Sequence, residues 1–328
     1  EFRTSVGGQA LMEGIMMRHK DKYSIAVRRP DNEIELKVED YKCVFGNAKF
    51  LKYPLIRGVV SFVDSLVVGT KCLMYSAEIA GDEEDEEDKQ KNAALSEEEL
   101  AAKKAKEDKQ FKWLLYVTVA VSIVVSVAAF MLLPYALASL CRRVGASEFA
   151  VTIVEAFVKL ALFMGYMLLI SRMKDIQRTF MYHGAEHKCI NCIEHGMDLT
   201  VENVRKSSRL HKRCGTSFLL IVMIISIFFF MFIHVDSRVL RLVLRLVLIP
   251  VIAGVSFEFI RLAGRSDNAL INLLSKPGLL LQHITTKEPE DDMIEVGIAS
   301  VEAVFDWKTY VEEIRQEDSR EHDISGSN

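Results

Sequence analysis

The sequence predicts an α-helical integral membrane protein of about four transmembrane helices with a small N-terminal β unit. Three observations carry that reading. Half of the 328 residues are apolar, enough for one helical membrane body and small soluble parts. Residues 113–140 are almost wholly apolar and uncharged, long enough to cross about 30 Å of hydrocarbon. Residues 149–170, 216–235 and about 242–260 repeat the pattern, the second interrupted only by Glu155 and Lys159 and the last holding Pro250 and Gly254. Near the start, residues 23–27 and 34–38 alternate apolar and polar side chains, with Pro30-Asp31-Asn32 between them as a turn.

The elements follow in order. Residues 1–54 form the β unit, although 6–14 are too punctuated by glycine for a regular helix. In residues 55–80, Arg57, Asp64 and Lys71 recur every seven positions. One face is therefore polar throughout, which predicts an amphipathic or re-entrant helix, interfacial or buried in protein, rather than a fifth span. Residues 81–111 open on Asp82-Glu83-Glu84-Asp85-Glu86-Glu87-Asp88 and continue rich in Lys, Glu and Ala. Such a run buries no apolar area and reads as a solvated, mobile linker, helical towards its end. Residues 112–263 are the membrane domain, including a loop at 171–215, and 264–328 are a helical tail. In the tail, Lys276-Pro277-Gly278 reads as a break and Glu288-Pro289 as a turn between short helices.

Charge sets the expected orientation. The 171–215 loop holds Arg172, Lys174, Arg178, Lys188, Arg205, Lys206, Arg209, Lys212 and Arg213, whereas the opposite side offers Arg142, Arg143, Arg238 and Arg241. The positive-inside rule places the loop and both termini in the cytoplasm of a multi-pass protein of the bacterial cytoplasmic membrane, with Arg241 and Arg245 running against the trend. Most of the six cysteines, 43, 72, 141, 189, 192 and 214, fall on that reducing side, which favours metal binding over disulfides. The expected partners are the lipid bilayer and, secondarily, other membrane proteins. A net charge of −4, without a basic patch interleaved with aromatics, gives no expectation of nucleic acid.

Inside the loop, Tyr182-His183-Gly184-Ala185-Glu186-His187 contains H-x-x-E-H. On a helix the two imidazoles lie about 40° apart around the axis with the carboxylate on their flank. A zinc hydrolase needs that set: two nitrogen ligands, and one carboxylate, Glu186, that handles a proton instead of binding metal. The ordinary alternative is two surface histidines at a helix end. Downstream, His211-Lys212-Arg213-Cys214-Gly215-Thr216 precedes the third apolar stretch, with Thr216 in place to cap it. His211 as third ligand completes a three-histidine site with an open position for water, and Cys214 is a softer alternative. A competing set, Cys189-x2-Cys192-x18-His211-x2-Cys214, has the spacing of a structural zinc knuckle. It is disfavoured if the helix carrying His183 continues through Cys192, because both cysteines then point away from the histidines.

Three further charges stand out. Glu155 and Lys159 sit one turn apart inside a span, where charges face a bundle interior or a water-filled path, or neutralise one another. Glu258, near the loop side of the last span, is either a further ligand or support for an imidazole, or it pairs with Arg261 or Arg265.

The motifs at residues 7–18, 182–188, 199–205 and 211–218 together resemble the bacterial YqhQ-like family of membrane proteins, described as predicted metal-dependent enzymes. The resemblance runs over about residues 5–303, apart from the acidic linker. It implies an integral membrane protein with a metal site and leaves the reaction open. Carried over position by position, the motifs fall on Glu13, His183, Glu186, His187, His211, Cys214 and Glu258. The family pattern varies at the positions of Cys189 and Cys192, which speaks against the knuckle. His211-Lys212 stands where the family more usually has His-Pro.

These readings converge on a zinc-type divalent metal held by His183, His187 and His211, with Glu186 as general base, in a hydrolase of peptide, lipid-linked or phosphate ester bonds at the cytoplasmic membrane surface. The alternative is a non-enzymatic membrane scaffold or assembly factor with a structural metal. A transporter using Glu155, Lys159 and Glu258 ranks third, since the spans lack an evident internal repeat.

Overall fold

In the computed structural model, residues 4–46, 48, 51, 53–81, 97–233, 235, 237–264 and 268–325 are described. The head of the acidic linker (82–96), Arg265 and part of the 216–235 stretch lie outside them. The chain divides into two compact units, residues 1–81 with 167–328, and residues 82–166.

The first unit opens with four antiparallel strands in sequential order, β1 (Gly7–Leu11), β2 (Gly14–His19), β3 (Lys22–Arg28) and β4 (Ile34–Asp40). The two expected strands are β3 and β4. The glycine-punctuated segment before them supplies two more, paired from Gly7 opposite Arg18 to Leu11 opposite Gly14. Helices cover both faces. Ile15, Met17 and Ala26 pack with Tyr182, Ala185, Cys189 and Ile294, while Leu11, Met16, Ile25 and Val27 pack with Cys72. A strand buried on both sides is apolar at every position and shows no alternation, which is why β2 was not evident in the sequence.

The second of these faces meets α1 (Ile56–Ala80). This helix is one of four long and apolar enough to cross a membrane, with 116–143, 148–170 and 243–263. Three of the expected spans are among these four, and α1 joins them by length and composition alone. The 216–235 stretch forms a shorter helix, Gly215–Met231, about 25 Å long at 1.5 Å per residue. The polar stripe of α1 is partnered by protein, with Asp64 buried at its middle. Arg57 makes a paired contact with Glu258 (Nε–Oε1 2.6 Å). Asp64 accepts from the Tyr41 hydroxyl at 2.6 Å and the Val44 amide at 2.9 Å. Lys71 donates to the Tyr23 hydroxyl and to Glu39. Leu66, Val67 and Leu73 are exposed on the other side.

Among the described residues, nine further helices follow α2 (Glu97–Val127). Its last turns pass through a π-helical stretch, Ala128–Leu132, into α3 (Leu133–Arg143). After α4 (Glu148–Ile170) come α5 (Lys174–Glu194), α6 (Val201–Lys206), α7 (Gly215–Met231) and α8 (Arg238–Ala263). α9 (Ala269–Thr285), α10 (Asp291–Glu302) and α11 (Trp307–Ser325) close the chain. Within the 82–166 unit, Arg142 makes two hydrogen bonds to Glu148 across the α3–α4 turn, 2.7 and 2.8 Å. In the first unit α8 crosses α1 at glycines, since a Cβ on Gly58 would lie 3.0 Å from the Gly254 Cα. The expected break at Pro277 is absent. α9 runs through it, because a proline forfeits only its own amide bond and neighbouring packing holds the remaining turns. The Glu288-Pro289 turn does separate α9 from α10.

Candidate metal centre

Helix α5 carries the H-x-x-E-H residues, and every residue from Tyr182 to Ile193 on it is buried. A helix buried on all sides has structure around it everywhere, so the reading of His183 and His187 as surface histidines does not hold. β1 and α10 pack along α5, and residues 285–289 cross it at Gly184, where a Cβ would lie 2.0 Å from the Lys287 carbonyl oxygen.

The two imidazoles are fixed from behind. His183 Nδ1 lies 2.9 Å from the Thr285 carbonyl oxygen, and His187 Nδ1 lies 2.6 Å from that of Arg209. A carbonyl only accepts, so both Nδ1 atoms carry the hydrogen and both Nε2 atoms face forward. The rings stand edge to face with centroids 4.4 Å apart. His183 Nε2 is 3.2 Å from Cys214 Sγ. Among the described residues, His183, His187 and Cys214 are the group of ligand side chains close enough to share an ion, their donor atoms all within 4.8 Å of one another.

Cys214 precedes the first turn of α7, its sulfur 3.1 Å from the Thr216 hydroxyl. Thr216 is not the cap; the helix begins at Gly215, with Cys214 in the cap position but without a capping side-chain bond. The loop leading to Cys214 is tied down by residues not singled out in the sequence. Lys188 donates to the carbonyls of Arg205 and Ser207, and Asn191 to those of Ser208 and Leu210. Gln282 accepts from the His211 amide and donates to the His211 carbonyl, each at 2.8 Å, and donates to the Ser217 hydroxyl at 2.7 Å. Nothing in the sequence marked Lys188, Asn191 or Gln282 for this role, because their partners are chiefly backbone groups that only the folded loop brings near.

Charge is shared across the group. Burial acts against ionisation of the Cys214 thiol, but the two facing imidazoles outweigh it and hold the thiol well below its ordinary range. Burial likewise lowers His183, and the Cys214 sulfur beside it reverses this and lifts the imidazole to about 9. The two shifts run in opposite senses, so nitrogen and sulfur share a proton that the pair draws towards the imidazole. Glu186 is pushed up, chiefly by burial and against the pull of both histidines. The amide of Gly8 on β1 donates to it. A Cβ at Gly8 would come 2.9 Å from Glu186 Cγ and 2.6 Å from the Met16 oxygen, so the N-terminal glycine motif allows this close approach of strand to carboxylate.

Other candidate residues take different places. His211 is not part of the compact group. Its Nε2 is directed at Glu194, 3.5 Å away, and its ring centroid is 5.7 Å from that of His187. Glu194 draws it there as a buried carboxylate that also accepts from the Thr4 amide, the Thr4 hydroxyl and Arg213. Cys189 and Cys192 do not form a knuckle, because α5 continues past both. Cys189 packs at Gly297, and Cys192 turns to the Asp198 carbonyl. Glu258 is bound by Arg57 instead of a histidine or Arg261. Glu155 and Lys159 lie half-buried, one turn apart on α4.

Glu13 works from outside the group. It sits at the β1–β2 turn with a left-handed backbone, φ 47°, and receives two hydrogen bonds from Arg178 at 2.5 Å and one from Tyr182 at 3.2 Å. It thereby clamps the hairpin bearing Gly8 onto α5. The Arg178 hydrogen bond holds its carboxyl below the usual range. A carboxyl depressed in the folded state contributes stability above its unfolded value, near 4.5, that is lost as pH falls through the lower folded value. Because Arg178 is half exposed, Glu13→Gln is expected to cost no more than about 1 kcal/mol at neutral pH. The gap to wild type should close as pH drops below the carboxylate range in thermal unfolding; a gap independent of pH would show that the ion pair is not its source.

The fold and this site define a polytopic α-helical membrane protein with a buried His/Cys cluster beneath a small sheet. Residues 53–307 match the family described as "Protein of unknown function (DUF1385)", and the chain belongs to that family. It is 38% identical over 307 residues, 90% of each chain, to the Bacillus subtilis (strain 168) protein described as "Uncharacterized protein YqhQ". No solved structure matches it.

Proposed function

We propose that the protein is a zinc-type metal-dependent membrane enzyme, a hydrolase acting at the cytoplasmic membrane surface. The observation that carries this reading is the pair of imidazoles whose Nδ1 atoms are committed to backbone carbonyls while both Nε2 atoms face one thiol. His183, His187 and Cys214 suit a borderline-soft divalent ion: the sulfur is already drawn towards thiolate, and His183 would release its Nε2 proton on binding. Such an ion supplies Lewis acidity and a water of lowered pKa. Three protein ligands leave a position open, the pattern of catalytic rather than structural zinc. Glu186 lies beside the set but outside it. Its carboxyl, raised by burial and steadied by the Gly8 amide, takes up a proton from water and returns it to a leaving group. The Lys/Arg excess in the 171–215 loop supports the cytoplasmic face.

The second reading, a scaffold or assembly factor organised by structural metal, draws on burial: Glu186, His183, His187 and Cys214 are all 9% exposed or less. Metal analysis of the purified protein separates the readings. The expected result is about one tightly held zinc per chain, retained in Glu186→Gln and in Cys189→Ala, and a cobalt-substituted protein whose thiolate absorption shifts when azide is added. A cobalt spectrum indifferent to azide favours the scaffold. Wild type without stoichiometric metal, or loss of the metal in Cys189→Ala, overturns the assignment of this centre.

A further inference from the structure

Helix α9 is built inside out for an aqueous surface. Its inward side carries Ser275, Gly278, Leu281, Gln282 and Thr285, all buried and mostly polar or small. Its outward side carries Leu270, Leu273, Leu274 and Leu280, each between 49% and 66% exposed. A helix between protein and water has the reverse arrangement. Between Ala269 and Thr285 there is no acidic residue, and the exposed Lys276 and His283 fall together along one margin of the leucine stripe.

Its neighbours fix the depth. Gly278 lies against the first turn of α7, where a Cβ would be 2.8 Å from that of Ser217. α7 is uncharged throughout and follows directly on His211, Lys212 and Arg213, so its first turn marks the passage from water to hydrocarbon. α9 crosses at that level. It also packs against α8, which contains one of the candidate spans, and its leucines extend the exposed apolar surface that Leu219 and Ile224 of α7 and Val247 and Val251 of α8 present.

We infer that α9 is an interfacial membrane helix, with Leu270, Leu273, Leu274 and Leu280 set in the headgroup–acyl boundary of the bilayer and Lys276 reaching up to the phosphate layer. Lipid is the occupant of this face, in the manner of amphipathic helices that lie along a bilayer. The same helix ends on Gln282 and Thr285, which hold the His211 backbone and His183. The inference goes beyond the metal centre and does not rest on it.

Tryptophan placed on the stripe of the full-length protein, reconstituted in nanodiscs of phosphatidylcholine and phosphatidylglycerol, tests it. Leu273→Trp and Leu280→Trp are compared with wild type, whose Trp113 and Trp307 set the background. Added emission that is blue-shifted, quenched about twofold by lipid brominated high on the acyl chain, and sheltered from acrylamide is the expected result. Emission open to acrylamide and untouched by brominated lipid overturns the inference in favour of water. Blue-shifted emission insensitive to brominated lipid, and abolished at one chain per disc, overturns it in favour of a second copy of the chain. Should neither tryptophan variant give monodisperse protein, a nitroxide at Leu280→Cys reads the same outcomes from oxygen against nickel-chelate accessibility. Metal is absent from this measurement, so its failure and that of the proposed function are separate results.

Discussion

Gly184→Ala is expected to dislodge the 285–289 segment from α5 and to weaken metal binding at the proposed centre with it. The added methyl would sit 2.0 Å from the Lys287 carbonyl oxygen and 3.2 Å from its carbon, and backbone cannot swing aside as a side-chain tip does. The segment is held on all sides. The Lys287 amide donates to the Phe180 carbonyl at 2.9 Å, Arg209 donates to the Thr286 carbonyl, and Lys188 and Arg209 both meet Glu288. Helix propensity alone favours alanine by about 1 kcal/mol, whereas overpacking of a closed contact costs about 1–3 kcal/mol. The second effect wins here because the clash is with an anchored main chain. Moving it also withdraws the Thr285 carbonyl from His183, a support whose loss lowers metal affinity roughly tenfold to a hundredfold. Thermal unfolding and zinc competition with a chelator measure both quantities. A variant as stable as wild type, with unchanged zinc affinity, would show that the segment does not bear on α5 as described.

Cys214→Ala is expected to cost far more zinc affinity than His211→Ala. Apparent binding energies of about 10–16 kcal/mol shared over four ligands come to about 3 kcal/mol for each, a hundredfold or more in dissociation constant. Cys214 is one of the three converging donors, so its removal should have that effect, and His187→Ala should match it. His211 is turned towards Glu194, and its replacement should change affinity within about tenfold. Equal losses in the His211 and Cys214 variants would restore the three-histidine set.

The contrast between those histidines measures how far the sequence could be read. Spacing four apart on a helix is a local property, and it put His183 and His187 on one face without any knowledge of the fold. The third member of the group depends on how a loop closes against α5 and α9, where Lys188, Asn191 and Gln282 hold it, none of which has a distinctive spacing. His211 and Cys214 were equally near in sequence. Only the buried Glu194, which claims one imidazole for itself, separates them. The apolar spans were legible because hydrocarbon thickness sets their length. For α1 an amphipathic helix was legible but its surroundings were not, as a polar stripe does not say whether water, headgroups or another helix faces it. Its charges in fact face Tyr41, Glu39 and Glu258. The first strand was hidden by its glycines, and the second because coverage on both faces removes the alternation by which strands are recognised.

The hydrogen bond from His183 to the Thr285 carbonyl joins positions 102 residues apart, which gives the site an order of assembly. A ribosome releases both histidines of α5 first, then Cys214, and then the whole of α8, before the residue that fixes the His183 ring exists. Throughout that interval the Arg209 carbonyl that orients His187 is already on the nascent chain, but the partner that fixes the His183 ring is not. The full arrangement of these side chains therefore belongs to a chain synthesised through α9, and under the proposed function selective metal capture would wait for that point.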